Sequence, residues 1–289
     1  MERISFHDQI SRNKIKSFFL MAMIFFVIVF FGYVISFAFE PGLFFIIMII
    51  SIVISLSYVW ISYYNSGKIA IASVGAKKAD RNKYGQFYNL VEGLTIASGL
   101  PMPKLYIMES PQINAFASGR NPENAVICVT TGSLEKLDKK ELEGVLAHEL
   151  SHVANYDIRY MTLATVMVGM IAIASEIFLR SLWFQNSDDN KNFIFIIIGI
   201  AMAILAPIFV QLVQLAISRK REFTADASAV KFTRYPQGLI GALRKIQGEH
   251  YAEKRVGKVV APLFFSNPLK NLASTHPPLE QRIKILERM

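Results

Sequence analysis

The chain has 289 residues, 53% of them hydrophobic, and a formal net charge of +9. Soluble domains carry less apolar residue, so the excess must face lipid or lie unusually deep. A single cysteine, Cys128, excludes an internal disulfide framework, and with no arginine-rich tract or basic–aromatic interleaving the charge points to membrane topology and anionic lipid, not to nucleic acid.

Two apolar runs come first. Residues 17–39 read SFFLMAMIFFVIVFFGYVISFAF and residues 41–64 read PGLFFIIMIISIVISLSYVWISYY. Each meets the roughly 20 residues needed to span a bilayer. Glu40 and Pro41 mark a tight turn between them. Lys14 and Lys16 precede the first run, as in a cleaved signal peptide, but its apolar core far exceeds the roughly 7–15 residues of such a signal. The reading is a retained hairpin anchor at 17–64, after a short cytosolic segment at 1–16.

Two further runs, within 161–183 and 192–218, predict a third and fourth span. Glu176 and Arg180 stand four apart and can pair on one helix face at the interface. Pro207 predicts a kink, and Gln211 and Gln214 predict that the last turns face protein or water. Partial embedding of both runs is the alternative. Basic residues set the orientation: Arg3, Arg12, Lys14 and Lys16 precede the first span, Lys68, Lys77, Lys78, Arg81 and Lys83 follow the second, and Arg219, Lys220 and Arg221 follow the fourth. The N-terminus, the 65–160 segment and the 219–289 segment therefore belong on the cytosolic side.

The soluble part begins with helical spacing of Tyr84, Phe87, Tyr88, Val91 and Leu94 within 78–99. Three β-like runs follow: PKLYIM at 103–108, INAFAS at 113–118 and AVICVTT at 125–131, with GRNPEN as the loop between the last two. They predict a small antiparallel sheet. Asp138, with Glu141 three residues on, predicts a capping box that opens a helix through LEGVLAHELSHVANY.

That helix carries HELSH. His148 and His152 are four apart, so both project from one face and can reach a single ion at roughly 2.0–2.1 Å. Glu149 sits beside the first and can address a water at that ion. Two exposed histidines on an ordinary helix would be the bland reading. A catalytic zinc usually takes three protein ligands and leaves one position open. No histidine lies in 153–162, so the third ligand must come from elsewhere. In SRKREFTADASAV, residues 218–230, Glu222 completes a His₂Glu set. Asp226, one turn on, then suits the outer shell, taking a hydrogen bond from a ligand imidazole. By itself Glu222 reads as a solvated acid among Arg219, Lys220 and Arg221. Asp157 is a further acid near the site, placed to cap the helix or hold a nearby charge.

HELSH, then REFTAD with Glu222, then STHPPLEQR near the C-terminus, resembles the HtpX-type membrane zinc metalloproteases, relatives of the CAAX prenyl proteases. The likeness runs over nearly the whole chain. It implies a gluzincin-like α+β fold, mainly helical, with about four transmembrane helices. It implies one Zn²⁺ held by His148, His152 and Glu222, with Glu149 as general base. His276 and Arg282 match a late element credited with stabilising the tetrahedral intermediate. Asn114 and Ala115, with Phe116 after them, match the edge strand that takes substrate backbone, a mode that reads side chains loosely. The activity implied is endopeptidase cleavage of misfolded or damaged membrane proteins in quality control at the bacterial cytoplasmic membrane.

Two rivals use the same residues. A metal transporter would set its site near the bilayer midplane, whereas HELSH precedes the third run and is flanked by Lys139, Lys140 and Arg159. A non-catalytic zinc scaffold would have no need of Glu149. Natural substrates and oligomeric state are not written in the sequence. Burial of the site beneath the C-terminal segment, or displacement of a loop, is the expected restraint on a cytosolic protease.

Overall fold

The computed structural model describes residues 6–36, 41–165, 219–249, 263–265 and 277–289. Most of the third predicted span, all of the fourth, and His276 lie outside the described residues.

Helix α1 (Phe6–Ser36) and helix α2 (Phe44–Ser73) form an antiparallel pair joined through a short 3₁₀ turn at Pro41–Leu43. Two stretches are long and apolar enough to cross a membrane: Ile10–Phe30 and Phe44–Ser73. Their burial is inverted relative to a soluble helix pair. Phe18, Phe19, Phe26, Phe45, Ile49 and Trp60 point outward, while Ser51, Ser55, Ser62, Ser66 and Gly67 are the buried face of α2. Small residues let the two backbones approach, and the Ser55 hydroxyl donates to the Phe25 carbonyl at 3.1 Å. Such small, hydrogen-bonding contacts hold helices together in lipid, where apolar burial between helices contributes little.

Beyond α2 come strand β1 (Lys77–Lys78), helix α3 (Gly85–Ser98), strands β2 (Lys104–Met108), β3 (Ala115–Ser118) and β4 (Val126–Thr130), then helices α4 (Thr131–Lys136) and α5 (Lys139–Ala154). Residues 157–165 begin a further helix, α6. After residue 218 follow α7 (Arg219–Thr233), α8 (Pro236–Gly248) and α9 (Leu279–Leu286). Helix α3 starts later than the apolar spacing from 78 suggests, because Lys77 and Lys78 pair with Tyr106 and Ile107 instead.

The sheet is mixed, which corrects the antiparallel expectation. Its order is β1-β2-β4-β3, with β2 and β4 parallel. Strand β3 folds back on β4 as an antiparallel neighbour, Ala115 opposite Val129. Strand β4 is buried at every position and matches the five residues of β2 in full register, which suits an interior place. The four-residue β3 pairs with β4 alone and, although equally buried, lies at the edge.

Helix α5 lies across the sheet and is packed between α3, α7 and α8. Its capping box forms: the Asp138 side chain accepts the Lys140 and Glu141 amides at 2.8 Å, and Glu141 accepts the Asp138 amide at 2.8 Å. Leu142, Val145, Leu146, Leu150 and Val153 are all buried in the main core. Gly144 permits a close approach of α8. A Cβ there would stand 2.6 Å from the Leu239 amide nitrogen at the start of α8. Gly144→Ala is therefore expected to cost about 1–3 kcal/mol through backbone displacement. A thermal melt in detergent should drop by several degrees; an unchanged melt would mean the two helices part freely.

Candidate metal centre

One turn after Gly144, α5 presents His148, Glu149 and His152, all at most 6% exposed. The four-residue spacing puts the two imidazoles on one face, with ring centroids 4.8 Å apart and planes near perpendicular. Each ring is held at Nδ1 by a buried carboxylate. Asp226 on α7 stands 2.9 Å from His148 Nδ1, and Asp157 stands 3.0 Å from His152 Nδ1. A carboxylate can only accept, so both Nδ1 atoms carry the proton and both Nε2 atoms keep a lone pair.

Those lone pairs face each other. The Nε2–Nε2 distance is 3.2 Å, and Glu222 of α7 brings its oxygens to 3.8 Å from His148 Nε2 and 3.6 Å from His152 Nε2. Two nitrogens about 2.0–2.1 Å from one tetrahedral ion would lie about 3.3 Å apart. Two bare lone pairs at that distance would repel; a proton on His152, whose ring is lifted to about 9, bridges the two nitrogens, and a shared cation can take its place. Among the described residues His148, His152 and Glu222 are the group of metal-ligating side chains that converges in this way. The donor set, two imidazoles and a carboxylate, fits zinc.

Charge around the site is tightly coupled. Burial, then the Arg282 guanidinium, push His148 down to about 4 against the pull of Asp226. For His152 burial also pushes down, but Asp157, Glu222 and Glu149 outweigh it and lift the ring to about 9. A cation would take the place of that proton. Burial pushes Glu149 up to about 7; Glu222 adds to the rise, while His152, an Ala117 backbone hydrogen bond and Arg282 oppose it. Burial raises Asp226 as well, yet Arg282 and His148 hold it below the ordinary carboxylate range.

Arg282 on α9 is fully buried and clasps Asp226 with two bonds, Nε to Oδ2 at 2.9 Å and Nη2 to Oδ1 at 2.6 Å. Its Nη1 lies 3.7 Å from Glu222 Oε2. Paired geometry of this kind fixes a carboxylate in direction as well as in charge. Arg282 is thus placed on Asp226, the orienting acid. His276 falls outside the described residues.

Asn114 is buried just ahead of the edge strand β3, its amide nitrogen bonded to the Thr130 and Ser133 hydroxyls. Ala115 opens β3, and Phe116 stacks against Phe264 with ring centroids 5.0 Å apart. On the outer edge of β3 the Phe265 amide donates to the Ala115 carbonyl at 2.7 Å. Phe265 also sets its ring against His148 at 4.9 Å and under the Arg282 guanidinium at 4.7 Å. Leu263, Phe264 and Phe265 thereby roof the site. What remains is a cavity of about 10 Å³ lined by His148, Glu149, His152, Glu222 and Ala117 with the roof residues. That is room for about one water or ion.

Sequence reasoning missed three participants. Leu263–Phe265 is a short apolar run with no period to betray it. Arg221 faces Asp157 at 3.7 Å but reads as one more basic residue after a span. Asn13 lies 144 positions from the acid it touches, and no local pattern reports such a contact.

Comparison with known proteins agrees with this geometry. The sequence pattern of peptidase family M48 matches residues 82–289. The protease HtpX homolog of Dictyoglomus turgidum is 43% identical over 296 residues, covering 100% of this chain and 96% of that protein. The protease HtpX homolog of Tropheryma whipplei strain Twist is 41% identical over 286 residues, covering 97% of each. Among solved structures, the crystal structure of S. mikatae Ste24p superposes with a TM-score of 0.53 at 20% identity. It covers 96% of this chain, which spans 66% of the Ste24p chain, and at that identity the likeness speaks for the fold alone. With a family match over most of its length and full-length relatives well above 30% identity, the chain belongs to peptidase family M48 and is a metalloprotease.

Proposed function

We propose that this metalloprotease is a zinc-dependent endopeptidase of the bacterial cytoplasmic membrane that cuts unfolded or damaged membrane proteins on the cytosolic side. The observation that carries the reading is the convergence of two Nε2 lone pairs, 3.2 Å apart, with Glu222 and Glu149 in one closed cavity. The anchor at 17–64, the two later spans at 161–218 and the split of the protease domain into 65–160 and 219–289 complete the proposed organisation. The basic residues flanking the spans support a cytosolic site.

In this reading His148, His152 and Glu222 hold the ion. A zinc ion there supplies a Lewis acid for the scissile carbonyl and lowers the pKa of a water toward about 7. Glu149 takes the proton of the attacking water. Burial, the largest influence on its carboxyl, favours the protonated form that it holds between taking the proton and passing it to the leaving amine. Asp226 and Asp157 keep both imidazoles in the tautomer that aims Nε2 at the ion. Arg282 supports this indirectly by fixing Asp226. His276, matched by resemblance, is the proposed donor to the developing oxyanion. The outer edge of β3, along Asn114, Ala115 and Phe116 and now bonded by Phe265, receives substrate as an added strand.

Glu149→Gln keeps the size of the side chain and removes the base. At matched zinc content its cleavage of an unfolded protein should fall by about 10²–10⁴-fold while zinc binding persists. Cleavage at the wild-type rate would sink the assignment of Glu149 as base.

The roof bears on how substrate enters. Phe265 occupies the backbone position on β3 that a bound peptide needs, so substrate must displace Leu263–Phe265. Phe264 holds the roof down by packing its ring on that of Phe116. An aromatic pair contributes about 0.5–1.5 kcal/mol. Phe264→Ala should therefore open the cleft more often and raise kcat/KM for a short peptide by about 2- to 10-fold. A kcat/KM at or below the wild-type value would argue against displacement as the entry step.

A further inference from the structure

The N-terminal membrane helix reaches the metal centre. Asn13 lies within α1, at the cytosolic end of the first apolar stretch by the proposed orientation. Its residue is 3% exposed. Its amide nitrogen stands 2.7 Å from Asp157 Oδ1 and 3.0 Å from the Asn155 carbonyl. Both partners accept only, so the NH₂ end of the amide must face them, and each of its protons has a taker. The other oxygen of Asp157 is the one that takes His152 Nδ1–H at 3.0 Å. A chain of three buried side chains thus leads from a membrane helix to a zinc-ligating imidazole.

The surroundings show why this carboxylate needs the amide. Asp157 is fully buried, and on the Oδ1 side the Arg221 Nη1 stands back at 3.7 Å. An unsupported oxygen on a buried carboxylate is costly. Asp157 also follows directly on Tyr156, which adopts a left-handed φ of 58°, a conformation that costs an L-residue roughly 1–2 kcal/mol. The turn must be held from outside, and α1 holds it. The Lys14 ammonium lies 4.7 Å over the Tyr156 ring, and Leu20 and Ile24 pack on Tyr160, Leu163 and Ala164 of α6.

We infer that Asn13 is a positioning residue for the metal centre: it orients Asp157, which fixes the His152 tautomer, so that the first membrane helix is part of the zinc site as well as an anchor. The inference rests on His152 being a zinc ligand. It assigns α1 a task that anchoring alone does not require.

The test uses the full chain in detergent, with zinc affinity read by competition against a chelator of known strength. Asn13→Ala should weaken zinc binding by about 10-fold, the low end for loss of an outer-shell partner. The kcat of the zinc-loaded enzyme should fall with KM unchanged, and the ligand-field bands of the cobalt(II)-loaded protein should shift. Asn13→Asp, which sets a second carboxylate against the first, should be worse than alanine. Ser55→Ala is the comparator: it removes the hydroxyl that donates to the Phe25 carbonyl of α1, loosening the same helix without touching Asp157 or α6, and should lower the melting temperature while leaving zinc affinity and the cobalt bands as in wild type. If Asn13→Ala and Ser55→Ala behave alike, the role of Asn13 is packing only and the inference falls. If Asn13→Ala does not accumulate as folded protein, Asn13→Ser, whose hydroxyl is too short to span the gap, is read on the same criteria. Failure of the wild type to bind zinc would overturn the underlying ligand assignment instead, a distinct result.

Discussion

Two buried carboxylates, each locking one imidazole at Nδ1, are the constraint on which the rest of the site depends. Without Asp226 and Asp157, His148 and His152 would be free to swap tautomers or swing apart, and their Nε2 atoms would have no reason to meet. Burying two acids beside two histidines and a third acid is expensive. The chain meets that cost with cations and donors drawn from afar: Arg282 on Asp226, Arg221 and Asn13 on Asp157. Removing one partner from such a buried pair typically destabilises by about 3–5 kcal/mol, so the outer partners serve stability as much as chemistry.

The fold follows from the same need. Helix α5 brings the histidines into a closed interior because Gly144 lets α8 approach and because core leucines and valines cover its other faces. Helix α7 crosses behind it to deliver Glu222 and Asp226 from adjacent turns. The sheet places the β3 edge beside the cavity, and the mixed pairing, with β4 between β2 and β3, leaves that edge to Phe265 instead of to another strand of the sheet. Roofed by Leu263–Phe265, the cavity has room for about one water or ion.

Much of this was legible in the sequence, and particular residues explain where legibility stops. HELSH and REFTAD each put paired functional groups at helical spacing, a signal carried by covalent distance alone. The Asp138–Glu141 box announced the start of α5 for the same reason. The strands at 103–108, 113–118 and 125–131 could be found from composition, yet their pairing could not: β3 and β4 are both apolar and both buried throughout, and which of them lies beside β2 is a tertiary fact. Asn13 gives no local sign, since a polar residue ahead of an apolar run looks like ordinary interfacial solvation. The roof escaped because three apolar residues make no pattern.

The clasp of Arg282 on Asp226 has a consequence for biosynthesis. Arg282 follows every other described part of the site in the chain, after the anchor, the histidine helix, the acids of α7 and the roof. As the polypeptide emerges from the ribosome, the orienting acid of His148 lacks its counter-charge until α9 is made and docks. The geometry that aims the His148 imidazole is therefore complete only after every preceding segment of the site has been made. The order of the segments along the chain postpones a fully aimed site to the end of synthesis.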